Sequence, residues 1–188
     1  MTAPELDAEE VVGASGDPRV GAFYAFWNRA RGLRLYPRQS DLDMVSVPRL
    51  VPNLFILDVL GGGLFRHRFI GSRIDDHLGV NLTGQNLEPF HSGRALAEIT
   101  HFYNRVSIDG VLGFMQTRLR SERFEWLVYT RVGLPVADDG ETINKIVGLF
   151  LFEAASEGFR DVPTFNDIDQ QELGLVRSTF GRLRPPAG

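Results

Sequence analysis

Two rhythms of apolar residues run along this chain. Behind Asp17-Pro18, the residues Val20, Phe23, Trp27 and Ala30 recur at three-and-four spacing. That spacing predicts an amphipathic helix with Asp17 as cap, Pro18 in its first turn and an end near Gly32. Leu96, Ile99, Tyr103 and Val106 form a second stripe, predicting a helix over 92–108 with Ser92 as cap and Gly110 beyond its end. A third stripe, Leu173, Val176, Phe180 and Leu183, predicts a helix over 167–183 that Pro185-Pro186 prevents from continuing. The stretch 72–78 reads as a short helix closed by Gly79.

Between these lie apolar runs that read as strands, at 53–60, 64–70, 111–120, 123–134 and 144–153. Gly61-Gly62-Gly63 supplies the positive φ angles of a hairpin between the first two. Ser121-Glu122 and Ala137-Asp138-Asp139-Gly140 supply the turns of a three-stranded meander. A hairpin and a meander joined through helices predict an α+β domain built on one five-stranded antiparallel sheet. Residues 1–17 are acidic and without period, which predicts a flexible arm. The domain itself is expected over 18–155, followed by a C-terminal helix and tail over 156–188. Residues 37–53 contain Pro37, Pro48 and Pro52 and read as an extended connector.

Turn positions set expected registers. A loop at Gly61–Gly63 places Asp58 opposite Arg66, a cross-strand ion pair. It also groups Phe55, Leu57 and Val59 with Phe65, His67 and Phe69 on one face. A two-residue turn at Ser121-Glu122 places Arg118 opposite Glu125. It groups Met115, Thr117 and Leu119 with Phe124, Trp126 and Val128, and a one-residue slip would invert these assignments.

A cavity between the 92–108 helix and the sheet would then be lined by His67, Tyr103, Met115, Thr117 and Trp126. Such a lining is mostly apolar with a few polar tips, as small-molecule sites are. The same residues also suit an ordinary filled core.

The composition removes several other functions. The 188 residues include no cysteine, so disulfides, thiolate zinc sites and cysteine nucleophiles are excluded, and a cytoplasmic location is expected. The opening residues carry no secretory pattern, and no apolar run is long enough to span a membrane. With a net charge of −4 and no basic-aromatic stripe, nucleic acid is not an expected partner. No phosphate-binding glycine loop or nucleophile elbow occurs. Glu98 and His101 have the spacing of a di-iron half-site, without the second copy that chemistry needs. Asp75-Asp76 and Asp138-Asp139 suit capping and turns better than acid/base catalysis, so no enzyme is expected. A haem ligated by His67 or His77 stays open as a minor reading.

The stretch Phe65-Arg66-His67-Arg68-Phe69-Ile70-Gly71-Ser72-Arg73-Ile74, followed by Gly79-Val80-Asn81-Leu82-Thr83-Gly84-Gln85-Asn86-Leu87, resembles the PAS_5 family, found mainly in alphaproteobacteria. Phe26-Trp27-Asn28, Pro37-Arg38, Asp41-Leu42-Asp43 and Leu134-Pro135-Val136-Ala137-Asp138-Asp139-Gly140 extend the resemblance over roughly residues 20–155. His67 departs from it, standing where an aromatic residue is usual. The resemblance implies a PAS fold with helices enclosing a possible small apolar or amphipathic ligand. It also implies a sensory or regulatory role exercised through a homodimer or an unidentified signalling partner. Val20, Phe23 and Trp27 would suit a dimer interface; they equally suit packing on the outer face of the sheet within one chain. A ligand-free protein-interaction adaptor is the alternative role.

Overall fold

The computed structural model describes residues 6–91, 93–119, 127–154 and 173–186. Its strands are β1 (Leu6–Asp7), β2 (Leu54–Gly61), β3 (Leu64–Ile70), β4 (Leu112–Leu119), β5 (Leu127–Val136), β6 (Lys145–Ala154) and β7 (Leu173–Arg182). Its α-helices are α1 (Ala8–Ala14), α2 (Pro18–Arg31), α3 (Ser72–Leu78) and α4 (Gly93–Ile108). The strands form one sheet in the order β1-β7-β4-β5-β6-β2-β3. The five expected strands make its antiparallel centre, and β7 and β1 extend it beyond β4.

That extension corrects two expectations. The predicted C-terminal helix is, over its described part, strand β7, paired antiparallel to β4 from Leu112↔Gly181 to Leu119↔Leu173; residues 167–172 lie outside the described residues. Val176 and Phe180, four apart, share a face under either period, so the stripe was ambiguous. Two glycines, Gly174 and Gly181, together with Val176 and Thr179, weaken a helix. The free edge of β4 supplies the strand with a hydrogen-bonded partner. The N-terminal arm is also structured from residue 6. β1 runs parallel to β7, α1 packs against the same strand, and Ala8 and Val11 are each 2% exposed.

The sheet is covered on both faces. On one, α2 lays Val20, Phe23, Phe26 and Trp27 over Leu54, Ile56, Val132, Leu134, Val147 and Leu149. Asp17 caps α2 through the Arg19 amide at 2.8 Å, and Pro18 begins it, as the sequence predicts. The other face carries α4 and α3 over Phe55, Leu57, Phe65, Met115, Ile146 and Phe150.

Close approach of α4 depends on missing side chains. Gly113 and Gly133 lie beneath Phe102 and Val106, and a Cβ at Gly113 would be 2.7 Å from the Phe102 ring. On the next strand pair, Phe55 is the cross-strand partner of Gly148 and its ring lies across that glycine. A Cβ at Gly148 would enter the ring itself. Gly148→Ala is therefore expected to displace Phe55 and cost about 1–3 kcal/mol by overpacking. Urea denaturation checks this; an unchanged midpoint would contradict the packing.

Registers came out in part as expected. Asp58 pairs with Arg66 across the hairpin, their side chains 3.2 Å apart, and Arg68 Nε adds a second contact at 2.5 Å. Burial alone would raise the Asp58 carboxyl, but hydrogen bonds from Arg68 and Arg66 outweigh it and hold the group below its usual range. Irregularities between Ile56 and Leu57 and between Val59 and Gly61 shift the ladder. Phe69 therefore pairs with Ile56 and joins the α2 face instead of the α4 face.

The β4–β5 ladder differs more. Arg118 pairs with Val128, Met115 with Arg131 and Thr117 with Tyr129. This is three residues away from the expected register, and an odd shift inverts every side chain of β5. The Ser121-Glu122 turn and Glu125 lie outside the described residues.

Candidate functional site

The space between the sheet and its α3–α4 cover holds a cavity of about 60 Å³. Its walls come from Phe55 of β2, His67 and Ile70 of β3, Arg131 of β5 and Phe150 of β6. Ile74 and Leu78 of α3 and Tyr103 of α4 cover it, with Val80, Leu82, Leu87 and His91 from the connection between these helices. That connection is pinned to the edge of β3. The His67 amide donates to Gln85 O at 2.9 Å, the Gly84 amide to His67 O at 2.7 Å and the Leu87 amide to Phe65 O at 3.2 Å. The backbone pairing fixes how far Leu82 and Leu87 stand from the sheet.

His67 faces inward because it alternates with Arg66 and Arg68, which turn outward to Asp58. It is 6% exposed, and its Nδ1 lies 2.9 Å from Gln85 O. Since a carbonyl oxygen can only accept, Nδ1 carries the proton and Nε2 keeps the lone pair in the neutral ring. Burial lowers the His67 pKa most; the Gln85 carbonyl opposes this, and the Arg131 charge adds to it. His91 is lowered to about 3, chiefly by burial and then by Arg131 and His67.

Tyr103 is 3% exposed and packs its ring on Phe65 and Phe55 at centroid distances of 5.4 and 6.1 Å. Burial raises its pKa, with Arg131 opposing. Arg131 itself lies mid-strand on the centre of the sheet. Its guanidinium carbon is 4.8 Å from the Phe150 ring centre and 6.0 Å from that of Tyr103, within reach of cation–π attraction.

Of the residues proposed from the sequence, His67 and Tyr103 line the cavity. Met115 is 1% exposed and sits behind Arg131, its Sδ 3.9 Å from Nη1. Thr117 lies on the same face of β4 but is not part of the cavity wall. Trp126 lies outside the described residues. Sequence reasoning missed Arg131, His91 and the α3 wall. Arg131 was not considered from the sequence; a correct β4–β5 ladder would have placed it beside Met115.

Val20, Phe23 and Trp27 are each 0% exposed within a single chain. They are therefore core residues and offer no surface to a second copy, which corrects the dimer-interface expectation. Trp27 Nε1 donates to Pro135 O at 2.8 Å, tying α2 to β5. The residues do not fit haem either. His77 Nε2 is held 2.9 Å from Tyr129 Oη, its ring is stacked 3.9 Å from Phe152, and His67 is hydrogen-bonded at Nδ1. The cavity is also well below the roughly 300 Å³ at which drug-sized sites begin. Among the described residues no group of three or more metal-ligating side chains occurs, and no helix is long and apolar enough to cross a membrane.

A comparison with curated proteins finds no match. The model of the PAS_5 family, described as a PAS domain, matches residues 17–151. These residues run from the cap of α2 to the last strand of the meander and include every element that builds the cavity. The chain belongs to the PAS_5 family of PAS domains.

Proposed function

We propose that this chain is a sensory signalling module whose helix-covered cavity binds a small ligand, with output through a protein partner or a change of assembly. One observation carries the reading. Under α4, where a core would be continuously apolar, four polar groups (His67, His91, Tyr103 and Arg131) converge on one small space. A buried polar cluster of this kind costs stability unless its members are satisfied. A bound molecule with a polar or charged end can be met by several of them at once. The cover can respond to an occupant, because α3 and the 79–91 connection touch the cavity from one side through Ile74, Leu78, Leu82 and Leu87, and the connection's backbone is bonded to the edge strand β3. An occupant that shifts them changes the surface they present to a partner.

Native mass spectrometry of the purified chain, compared with a denatured sample, tests the reading. A released mass lost on Tyr103→Phe or Arg131→Gln supports it. Absence of any co-purifying species, together with no thermal stabilisation by a panel of small metabolites, would sink it.

The cavity's small volume favours a second reading, a ligand-free adaptor that uses its outer surface alone. Under that reading, cavity substitutions leave partner binding unchanged.

A further inference from the structure

Arg131 is half-buried on the covered face of the sheet, and since arginines withdrawn from water are usually paired, its surroundings are informative. Arg19, Arg34, Arg66, Arg68, Arg94, Arg105 and Arg184 each meet a carboxylate. Arg131 stands between β4 and β6 on the covered face, and among the described residues no carboxylate lies within the 4.0 Å that defines those pairs. Its polar neighbour is a thioether at 3.9 Å, and its flanks are two aromatic faces. The neighbouring histidines do not neutralise it. A protonated imidazole there would add a second positive charge beside the guanidinium, and both rings are held toward their neutral forms. Among the described residues that line the cavity, none carries a negative charge.

We propose that the cavity takes a short-chain monocarboxylate, its carboxylate on the Arg131 guanidinium and its alkyl end among Ile74, Leu78 and Leu82. The inference rests on the ligand-binding reading above and names the chemical class. A planar guanidinium presents paired N–H donors that match a carboxylate's two oxygens. Size sets the upper limit. A cavity of about 60 Å³ has room for about four to six waters at ~10–15 Å³ each, so an acid of about five non-hydrogen atoms fits and an aromatic or sugar acid does not. The apolar remainder of the wall selects an alkyl tail over a fully hydrated inorganic anion. Facing the bound charge are Arg131 from β5, His67 from β3, Tyr103 from α4 and His91 from the connection. Both imidazoles then protonate more readily, so binding takes up protons and strengthens as pH falls.

Calorimetry on the full chain, with sodium propionate against sodium nitrate and propionamide at constant ionic strength, tests the class. His ring resonances are followed by NMR in the same samples. Propionate is expected to bind at least tenfold more tightly than either comparator and to move the His67 and His91 titrations to higher pH. Arg131→Gln should abolish binding while keeping the fold; should that variant fail to fold, the wild-type comparison of propionate with propionamide decides alone. Equal binding of the amide removes the charge argument, equal binding of nitrate removes the tail, and no propionate binding removes the proposal. A neutral species released in native mass spectrometry, with no propionate binding, would overturn the carboxylate and leave the ligand reading standing. No released species and no propionate binding overturns both.

Discussion

Trp27→Ala is expected to destabilise the chain by about 3–5 kcal/mol, the range for truncating a fully buried large aromatic. The indole is 0% exposed and lies in the layer between α2 and the sheet, with Tyr24 stacked 6.3 Å away and the Arg31 guanidinium 5.2 Å from its ring. Truncation leaves a cavity and also strips the Pro135 carbonyl of its donor, which adds the cost of a buried unsatisfied acceptor. Against a total stability of roughly 5–15 kcal/mol, that is enough to unfold a large share of the protein on mild heating. Urea denaturation gives the loss, and size-exclusion chromatography with light scattering gives the mass. If Trp27 served an interface between copies, the mass would fall with little change in the urea midpoint. Such an outcome would refute the packing described here.

Acidification from pH 6.5 to pH 4 is expected to have the next largest effect. His77 is 5% exposed, and burial lowers its pKa to about 4; His91 falls to about 3, and His67 is lowered as well. In the unfolded chain these rings titrate near ~6.5. Between that value and the folded values, the unfolded state binds more protons. Stability is therefore fully present above pH 6.5 and declines as pH falls, by at most about 1.4 kcal/mol per pH unit for each ring. Carboxylates held low by arginine or lysine, Asp17, Asp58 and Asp138 among them, extend the loss into the ordinary carboxylate range below.

Chemical denaturation at pH 7, 5.5 and 4.5 measures the slope. His77→Phe preserves an aromatic ring against Phe152, removes one titrating group and should make the dependence shallower. A stability that stays flat from pH 6.5 to pH 4.5 would show that these rings are not buried as described.

The sheet centre was legible from short-range signals. Glycine and aspartate turns fixed the β2–β3 hairpin and the Ala137–Gly140 turn, and helical stripes fixed α2 and α4. What sequence could not supply was the origin of the β4–β5 ladder. Its expected register hung on a turn at Ser121-Glu122, whereas the observed one is set by long pairing of β5 against both neighbours. Each step of Met115, Thr117, Tyr129 and Arg131 depends on that origin, so one error hid the arginine of the cavity wall. Likewise, Val176 and Phe180 satisfy helix and strand periods alike, and only the open edge of β4 decides between them. His67 and Tyr103 were readable because each depended on a local signal, the hairpin loop and a helical stripe.

The β1–β7 contact joins residues near opposite ends of the described chain, Leu6 with Gly181 and Asp7 with Arg182, and an Asp7–Arg184 ion pair fastens it. It is a clasp of two residue pairs closing a loop that contains the whole sheet. Loops that large form late in folding, because their closure entropy is met only after shorter contacts exist. The clasp is accordingly expected to exchange its amide hydrogens before the central strands, together with α1, which rides on the same strand. Its opening bares the outer edge of β7 while the layers on either side of β5 stay closed. Such a seam would lie at the periphery of the sheet, with β4 between it and the strands that wall the cavity.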